Sequence, residues 1–347
     1  MKVQQALHIV RILNDGQIQR VILKNKEITV ELTNIGASIV AIHMPDMYGI
    51  QKNIVAGFED LSEYYTNKDY MGCVVGRFAN RIAKGRFSLN GEDYQLPINN
   101  PPNHLHGGAH GFHQKTWQIE GHAEHETDCS VSLSCYSPDK EEGYPGNVHA
   151  TVQYTLSQNK LKIRYAATTD KATPINLTNH SYFNLTGFES ATIVDHVLQI
   201  NADYYTEKSP ANTSTGTILP VAGTDLDFRN QRTIGEGING FPVDMGYDHN
   251  FVLRAKGEMA IAAVLSEPNS GRSLTVLTNK PGLQIYSGNY FDGSNVGTQG
   301  KAYIKHGAVA LETQLFPDSV NHPQFPNTII NPGQRYNYTT TFQFDVI

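Results

Sequence analysis

Short segments of alternating apolar and polar residues recur along the whole chain and constrain its fold more than any other feature. Successive side chains of a β-strand point to opposite faces, so this alternation is typical of strands with one buried face. Turn-forming pairs such as Asn90-Gly91 and Pro281-Gly282 separate the segments. The pattern predicts an all-β chain of antiparallel strands. The predicted strands are residues 28–34, 37–44, 131–137, 149–156, 161–167, 192–200, 273–279, 283–289, 308–314 and 338–346.

The composition agrees with a β-rich chain that contains little helix. The 347 residues include 30 Gly, 16 Pro, 18 Tyr and 14 Phe, which favours short strands joined by turns. Because all-β chains of this length often form one unit, the sequence predicts a single domain over residues 1–347. One short helix is predicted at residues 59–66, where Leu61 and Tyr65 are four residues apart, and one further turn is predicted near residues 317–320.

Charge and cysteine content exclude several classes of protein. The net charge is −6 and no basic cluster is present, so we expect no nucleic-acid partner. His8 and Arg11 interrupt the apolar N-terminal stretch, which predicts neither a signal peptide nor a membrane-spanning helix. Cys73, Cys129 and Cys135 form no CxxC pair, as expected for free thiols in a reducing compartment. The sequence predicts a cytoplasmic protein with no membrane partner and leaves monomer and homodimer open.

Residues 177–185, LTNHSYFNL, surround a histidine with amide, hydroxyl and aromatic groups. If the segment is a strand, His180 shares one face with Thr178, Tyr182 and Asn184. Imidazole can hold and release a proton near neutral pH, so His180 is a candidate general acid in a site that binds a polyol. A hydrogen-bonded histidine inside a β core explains the segment equally well.

Residues 308–314 present a carboxylate opposite an apolar strand face. Glu312 shares its face with Ala310 and Gln314. A carboxylate is ionised at neutral pH and would be a good proton acceptor in a cleft. A solvated strand face is the simpler explanation of this pattern.

Residues 283–289 repeat the arrangement with Gln284 and Tyr286 on the polar face. The amide can donate to one sugar hydroxyl while it accepts from another, and the ring can pack on the apolar face of a pyranose. An ordinary half-exposed strand explains the pattern at least as well.

Residues 101–113 contain four histidines among prolines and glycines. Closely spaced histidines recur in metal sites, but this loop contains no Asp, Glu or Cys, so the sequence predicts no metal. The Gly107-Gly108 pair instead predicts a backbone that approaches a ligand closely, with a hydrogen bond from His106. The four histidines are His104, His106, His110 and His113.

Two polar turns add candidate ligand contacts. Residues 76–85 place Asn80 beside Arg81, and a guanidinium beside an amide suits the recognition of hydroxyl oxygens. Residues 246–251 supply Asp248, which could accept hydrogen bonds from vicinal hydroxyls. An exposed arginine and a turn-capping aspartate are the simpler explanations.

The ordered set of motifs, from about residue 30 to the C-terminus, resembles the aldose 1-epimerase (galactose mutarotase) family. The resemblance implies a large antiparallel β-sandwich of the supersandwich type with few short helices. It also implies an isomerase that interconverts the α and β anomers of free hexoses, galactose and glucose, without a cofactor. The motifs are VVGRFANRIAKG, LHGG, GYPG, LTNHSYFNL, TDLDFR, GYDHNF, LQIYSGN and ALETQ.

The resemblance implies a role for individual residues. His180 would donate a proton to the ring oxygen as an imidazolium, and Glu312 would remove the proton of the anomeric hydroxyl as a carboxylate. His106 would orient the substrate and assist at the ring oxygen. Tyr286 is added from the strand pattern alone. The remaining sugar contacts would be Asn80, Arg81, Asp248 and Gln284.

Other functions fit parts of the pattern. A glycoside hydrolase could use Asp248 and Glu312 as its two carboxylates. A related epimerase could act on the reducing end of maltose-like disaccharides. A carbohydrate-binding protein could keep the cleft without turnover, although the presence of both His180 and Glu312 argues against it. A cupin-like metalloenzyme, built on the histidine loop, is the least favoured.

Overall fold

The computed structural model describes residues 8–255 and 257–347, and strands dominate these residues. About 49% of the chain is strand and 8% is helix, and within the described ranges every helix is a short 3-10 turn. The prediction of an all-β antiparallel fold is therefore confirmed. The described 3-10 helices are Leu61–Thr66, Ala83–Gly85, Phe112–Gln114, Glu141–Gly143, Ile234–Glu236, Ile238–Gly240, Thr298–Gly300 and Ser319–Asn321.

The largest sheet of the described residues has nine antiparallel strands. In its strand Lys160–Thr169 exposed residues alternate with buried ones over the first six positions, so one face of this strand covers the core and the other faces solvent. In spatial order the strands are Gln118–Glu124, Cys129–Ser137, Val148–Ser157, Lys160–Thr169, Tyr336–Val346, Arg272–Thr278, Ala260–Glu267, Val197–Ile200 and Arg232–Thr233.

Two further sheets supply most of the opposing side of the core. The six-stranded sheet consists, in spatial order, of Tyr182–Phe183, Val309–Gln314, Gly282–Tyr286, Asp248–Leu253, Ala202–Lys208 and Ser214–Pro220. The five-stranded sheet consists of Ile9–Asp15, Ile18–Lys24, Thr29–Thr33, Ser38–Pro45 and Gln51–Asn53. The short strand pairs are Arg81–Ile82 with His104–Leu105, Thr173–Pro174 with Ile329–Ile330, Val74–Val75 with Thr178–Asn179, Asp292–Val296 with Ala302–Ile304, and Arg86–Leu89 with Glu92–Gln95.

The strand Val309–Gln314 is buried on both faces, unlike Lys160–Thr169. Val309 and Leu311 belong to the main hydrophobic core, which all three sheets share. Ala310, on the opposite face, packs in a second cluster with Tyr182 and Phe291. A side chain on this second face is thus enclosed by protein, and Glu312 occupies that face.

Most predicted strands are confirmed, and three segments differ. Residues 192–196 precede the strand that begins at Val197, and residues 287–289 follow the strand that ends at Tyr286. Residues 177–185 form two short strands with different partners instead of one. The predicted helix at residues 59–66 is the 3-10 helix Leu61–Thr66.

Some predictions concern properties that the fold tests only in part. Among the described residues, no helix has the length and apolarity needed to cross a membrane. Residues 1–7, on which part of the signal-peptide prediction rests, lie outside the described residues. The single domain over residues 1–347 stays a prediction.

Candidate active site

A cleft built on the six-stranded sheet is lined by polar and aromatic side chains. It encloses about 650 Å³ of space, part of it open to solvent. The lining residues are Lys68, Asp69, Tyr70, Asn80, Arg81, Asn100, Leu105, His106, His180, Tyr182, Asp248, Tyr286, Tyr290 and Glu312.

Three neighbouring strands place their polar residues in register on one face. Glu312 pairs with Gln284, and Gln284 pairs with Asn250 on the next strand. One row further along, Tyr286 pairs with Asp248. The predicted alternation of these strands is confirmed. The explanation of Glu312 as part of a solvated strand face is wrong, because Glu312 is only 2% exposed.

His180 enters the cleft from a break between two strands. Its backbone N–H donates to Cys73 O at 2.9 Å, and its carbonyl accepts from the N–H of Gly72 at 3.0 Å. These bonds leave the side chain free to reach across to the six-stranded sheet. His180 Nε2 lies 3.4 Å from Glu312 Oε1, and both residues are buried. The structure thus brings the candidate acid and the candidate base together.

Burial disfavours the charged form of both groups. Burial lowers the pKa of His180 to about 4, against smaller opposing effects from its own backbone and from Asp248. Burial, followed by Asp248, raises the pKa of Glu312 well above its usual range, although Arg81 and Lys280 oppose the shift. Burial therefore favours the neutral forms of the pair, an imidazole and a carboxylic acid that together hold one proton. This arrangement differs from the imidazolium and carboxylate implied by the family resemblance.

His106 is held as a neutral ring that can donate a hydrogen bond into the cleft. Its Nδ1 accepts from the backbone N–H of Asn80 at 3.1 Å, so the proton of a neutral ring is assigned to Nε2. Burial, and then the nearby His180 and Arg81, lower the pKa of His106 well below its usual range. The centres of the His106 and His180 rings lie 5.4 Å apart.

Asp248 is kept ionised at the edge of the cleft. Burial opposes its ionisation, but Arg81, Lys208, His249 and Gln284 together outweigh burial and lower the pKa of Asp248. Arg81 approaches Asp248 Oδ2 at 3.6 Å, and Gln284 Nε2 donates to Asp248 Oδ1 at 2.5 Å. A smaller pocket adjoins the cleft and shares Asp248 with it. Gln284 lines this smaller pocket and not the cleft, so it lies behind Asp248.

Only one of the four histidines in residues 101–113 lines the cleft. His104 points elsewhere, since its ring nitrogens lie 2.7 Å from Pro97 O and 2.9 Å from Tyr144 Oη. The prediction that Gly107-Gly108 admits a ligand is wrong. A Cβ at Gly107 would collide with the backbone of Gly76, and a Cβ at Gly108 would collide with the side chain of Glu142. These glycines therefore serve chain packing.

The loop at residues 67–71 was missed by sequence reasoning. Asn67 closes this loop because its side chain both donates to and accepts from the backbone of Met71. Tyr70 adopts a φ of 57° and packs its ring 4.5 Å from that of His106 and 4.7 Å from that of His113. The only sequence signal was a short polar run, which is also typical of an ordinary loop.

The donor atoms that could hold a metal are the same ones that could move protons. Within the described residues, only His106, His180 and Glu312 bring three such atoms within 4.8 Å of one another. A cation bound by all three would displace the Nε2 proton of His106 and the proton shared by the other two residues. Metal binding and proton transfer would therefore exclude each other at this site.

Most of the chain is similar to proteins named as galactose mutarotases or aldose 1-epimerases. The model of the family described as aldose 1-epimerase matches residues 19–343. A galactose mutarotase of Rattus norvegicus is 42% identical over 331 residues, which cover 95% of each chain. An aldose 1-epimerase of Escherichia coli is 36% identical over 343 residues, 95% of this chain and 96% of the relative.

Solved structures agree with the sequence relatives. An aldose epimerase homologue from C. elegans superimposes with a TM-score of 0.85 at 28% identity, covering 98% of this chain and 99% of the other. A galactose 1-epimerase from Lactobacillus acidophilus gives a TM-score of 0.84 at 28% identity and 98% coverage of both chains. The chain therefore belongs to the aldose 1-epimerase family, the isomerases that interconvert sugar anomers.

Proposed function

We propose that His180 and Glu312 are the proton-transfer pair with which this isomerase converts α-hexoses to β-hexoses and back. The observation that carries the proposal is the 3.4 Å contact between His180 Nε2 and Glu312 Oε1 inside the cleft. The ring oxygen and the anomeric hydroxyl of a pyranose are bonded to the same carbon. An acid and a base in contact with each other can therefore address both oxygens of one sugar.

The shared proton allows a balanced ring-opening step. It first passes from Glu312 to His180, which gives a carboxylate and an imidazolium. Glu312 then removes the proton of the anomeric hydroxyl while His180 protonates the ring oxygen, and the bond from C1 to the ring oxygen breaks. The C1–C2 bond of the open aldehyde rotates, and closure on the other face reverses both transfers.

Burial supports this direction of proton flow. Ring opening neutralises an imidazolium and a carboxylate, and burial disfavours both of these charges, as the directions of the two pKa shifts show. The charged pair is therefore costly in this cleft, and ring opening returns both groups to the neutral forms that burial favours. Each positioned proton transfer typically contributes about 10²–10⁴-fold to the rate.

The other cleft residues would hold the sugar in place. Asp248, kept ionised, would accept hydrogen bonds from hydroxyls, and Arg81 and Asn80 would donate to hydroxyl oxygens. His106 would donate its Nε2–H close to the ring oxygen. Tyr286 would offer its ring to the apolar face of the pyranose.

We infer free galactose as a substrate, since relatives in several mammals are named galactose mutarotases, and we infer free glucose from the resemblance to the aldose 1-epimerase family. Cys73, Cys129 and Cys135 are unpaired and buried, which supports the proposal that the protein acts in the reducing cytoplasm. As in the sequence prediction, a monomer and a homodimer remain the two candidate states.

Exchange spectroscopy of equilibrated sugars tests the proposed function. The α and β signals of galactose, glucose and maltose are measured with and without protein. We expect enhanced exchange with galactose and glucose. Enhancement with maltose alone would support the disaccharide epimerase, and binding without enhanced exchange would support a carbohydrate-binding protein. Unchanged exchange after removal of metal by a chelator is the expected control result, since the proton mechanism uses no metal.

A further inference from the structure

Beneath the proposed catalytic pair, the two chain segments that carry it are not joined by a continuous strand ladder. The ladder between them contains only the pairs Phe183 with Val309 and Tyr182 with Ala310. Past Tyr182, the first segment turns to a different partner, Val74–Val75. His180 and Glu312 therefore face each other just where backbone pairing has stopped.

Lys280 closes this gap from inside the core. Its Nζ donates to Leu177 O at 2.5 Å, three residues before His180, and to Thr313 O at 3.1 Å, immediately after Glu312. Lys280 is completely buried, and its Nζ lies 4.1 Å from the centre of the Tyr165 ring. The lysine thus bridges the two segments on the side opposite the ladder.

We propose that Lys280 is a positioning residue that fixes the distance between His180 and Glu312 by joining the backbone carbonyls of Leu177 and Thr313. The inference rests on the proposed proton-transfer function of the pair. The ladder lies on one side, and the Lys280 bridge lies on the other together with the bond from Thr178 Oγ1 to Thr313 O, so the two catalytic side chains are framed by fixed links. A proton-transfer contact is sensitive to such a frame, because a misplacement of about 1 Å can cost about 10²-fold in rate.

A role in stability alone is the competing explanation. Each of the two carbonyls has a second donor, since Thr178 Oγ1 lies 2.7 Å from Thr313 O and Tyr336 Oη lies 3.4 Å from Leu177 O. Replacing Lys280 by Met therefore leaves neither carbonyl without a partner. The replacement also removes a buried amine, whose desolvation opposes folding. The variant should fold, while the link between the two segments is weakened.

Arg272 provides a matched control far from the cleft. Its buried side chain likewise donates to two backbone carbonyls, those of Leu185 at 3.0 Å and Ile50 at 2.8 Å. Arg272→Met therefore removes the same kind of bridge at Leu185, which lies beyond the ladder pairs of Tyr182 and Phe183 as seen from His180. It is expected to lower the melting temperature and to leave kcat within about threefold of the wild-type value, as distant sites usually act independently.

The experiment measures kcat and KM for galactose anomer exchange in wild type, Lys280→Met and Arg272→Met, with melting temperatures. We expect Lys280→Met to lower kcat about 10²-fold with KM changed less than about threefold, because the sugar contacts are intact. A wild-type kcat, or a loss no larger than that of Arg272→Met, would overturn the positioning role while leaving the proposed function standing.

Two further outcomes are distinguishable. If wild type itself shows no enhanced exchange, the proposed function fails, and the role of Lys280 fails with it. If Lys280→Met does not yield folded protein, Lys280→Gln is measured instead, because its amide keeps a donor for one carbonyl. A reduced kcat at unchanged KM is again expected, and an unchanged kcat again overturns the role.

Discussion

Side chains alternate between two faces in both Lys160–Thr169 and Val309–Gln314, but the two faces meet different environments in the two strands. In Lys160–Thr169 the alternation divides core from solvent, so Leu161 is buried and Lys162 is exposed. In Val309–Gln314 it divides an apolar core from an enclosed polar cleft, and every residue is buried. Alternation in a sequence therefore indicates a strand, whereas the tertiary packing decides whether the polar face is a surface or a site.

The enclosed polar face of Val309–Gln314 has an energetic cost. Glu312 Oε2 and Gln314 Oε1 are buried and accept no hydrogen bond from the described residues. A buried acceptor without a partner costs about 1–3 kcal/mol. Such a cost is typical of sites that are organised for a ligand, since the ligand supplies the missing bonds.

The largest effect is expected when either proton-transfer group is removed. Glu312→Gln and His180→Asn should each lower kcat about 10³-fold, because each leaves one proton transfer without its partner. Polarimetry on freshly dissolved α-galactose measures this loss. Melting temperatures should stay at or above the wild-type value, because each variant replaces a buried titratable group with an uncharged amide. A near-normal rate in either variant would remove that residue from its role.

A core truncation in the nine-stranded sheet should act on stability alone. Leu161→Ala should lower the free energy of unfolding by about 2–5 kcal/mol, because it leaves a cavity in the main core. Urea denaturation measures the change. The kcat of the folded variant should match wild type, and a large fall in kcat would show that the two regions are not independent.

The pH dependence distinguishes the enclosed pair from a solvent-exposed histidine. Because burial lowers the pKa of His180 to about 4, the pair takes up a second proton and loses its base only near that pH. Activity should therefore fall below about pH 4 and not near the ordinary imidazole value of about 6.5. Polarimetry between pH 3.5 and 7 measures this fall in the rate of anomer exchange, which we expect near the pKa of His180.

Stability should also respond to this pKa shift. The unfolded chain protonates His180 near pH 6.5, and the folded chain does so only near pH 4. The contribution of neutral His180 to stability is thus present above pH 6.5 and is lost as the pH falls toward 4. Intrinsic fluorescence recorded beside the rates separates unfolding from loss of the base. An acid limb in the rate near pH 6.5, with the protein folded, would contradict a buried neutral His180.

The smallest effect is expected on the solvent face of the nine-stranded sheet. Lys162→Ala should change the free energy of unfolding by less than about 0.5 kcal/mol and leave kcat unchanged. Lys162 is exposed and neighbours Leu161 in the same strand, so the pair of variants isolates burial from sequence position. Equal destabilisation by the two substitutions would show that alternation does not report the buried face in this sheet.

The local sequence could predict strands but not the long-range contacts that shape the site. Alternation located Glu312, Gln284 and Tyr286 on polar faces because that pattern depends on local geometry. The break at His180 depends on pairing with Val74–Val75, about a hundred residues earlier in the chain. The need for glycine at position 107 likewise comes from a distant backbone, which no local pattern reports.

The residues around the pair illustrate the same limit. Tyr70 reaches the histidines through a positive φ and a loop closed by Asn67, and neither can be read from residue types alone. Lys280 would be assigned to a turn surface from its sequence context of Asn-Lys-Pro-Gly, yet it is fully buried beneath the cleft. Family resemblance pointed to the candidate pair, whereas its neutral resting state follows only from burial.

The most direct test compares kcat for His180→Asn, Glu312→Gln and the double variant in galactose anomer exchange. If one proton is shared by a pair that acts as a unit, the double variant should be no slower than the slower single variant, as found for groups that act together. Independent groups would instead multiply their losses, and a double variant about 10⁶-fold slower than wild type would contradict the shared-proton pair.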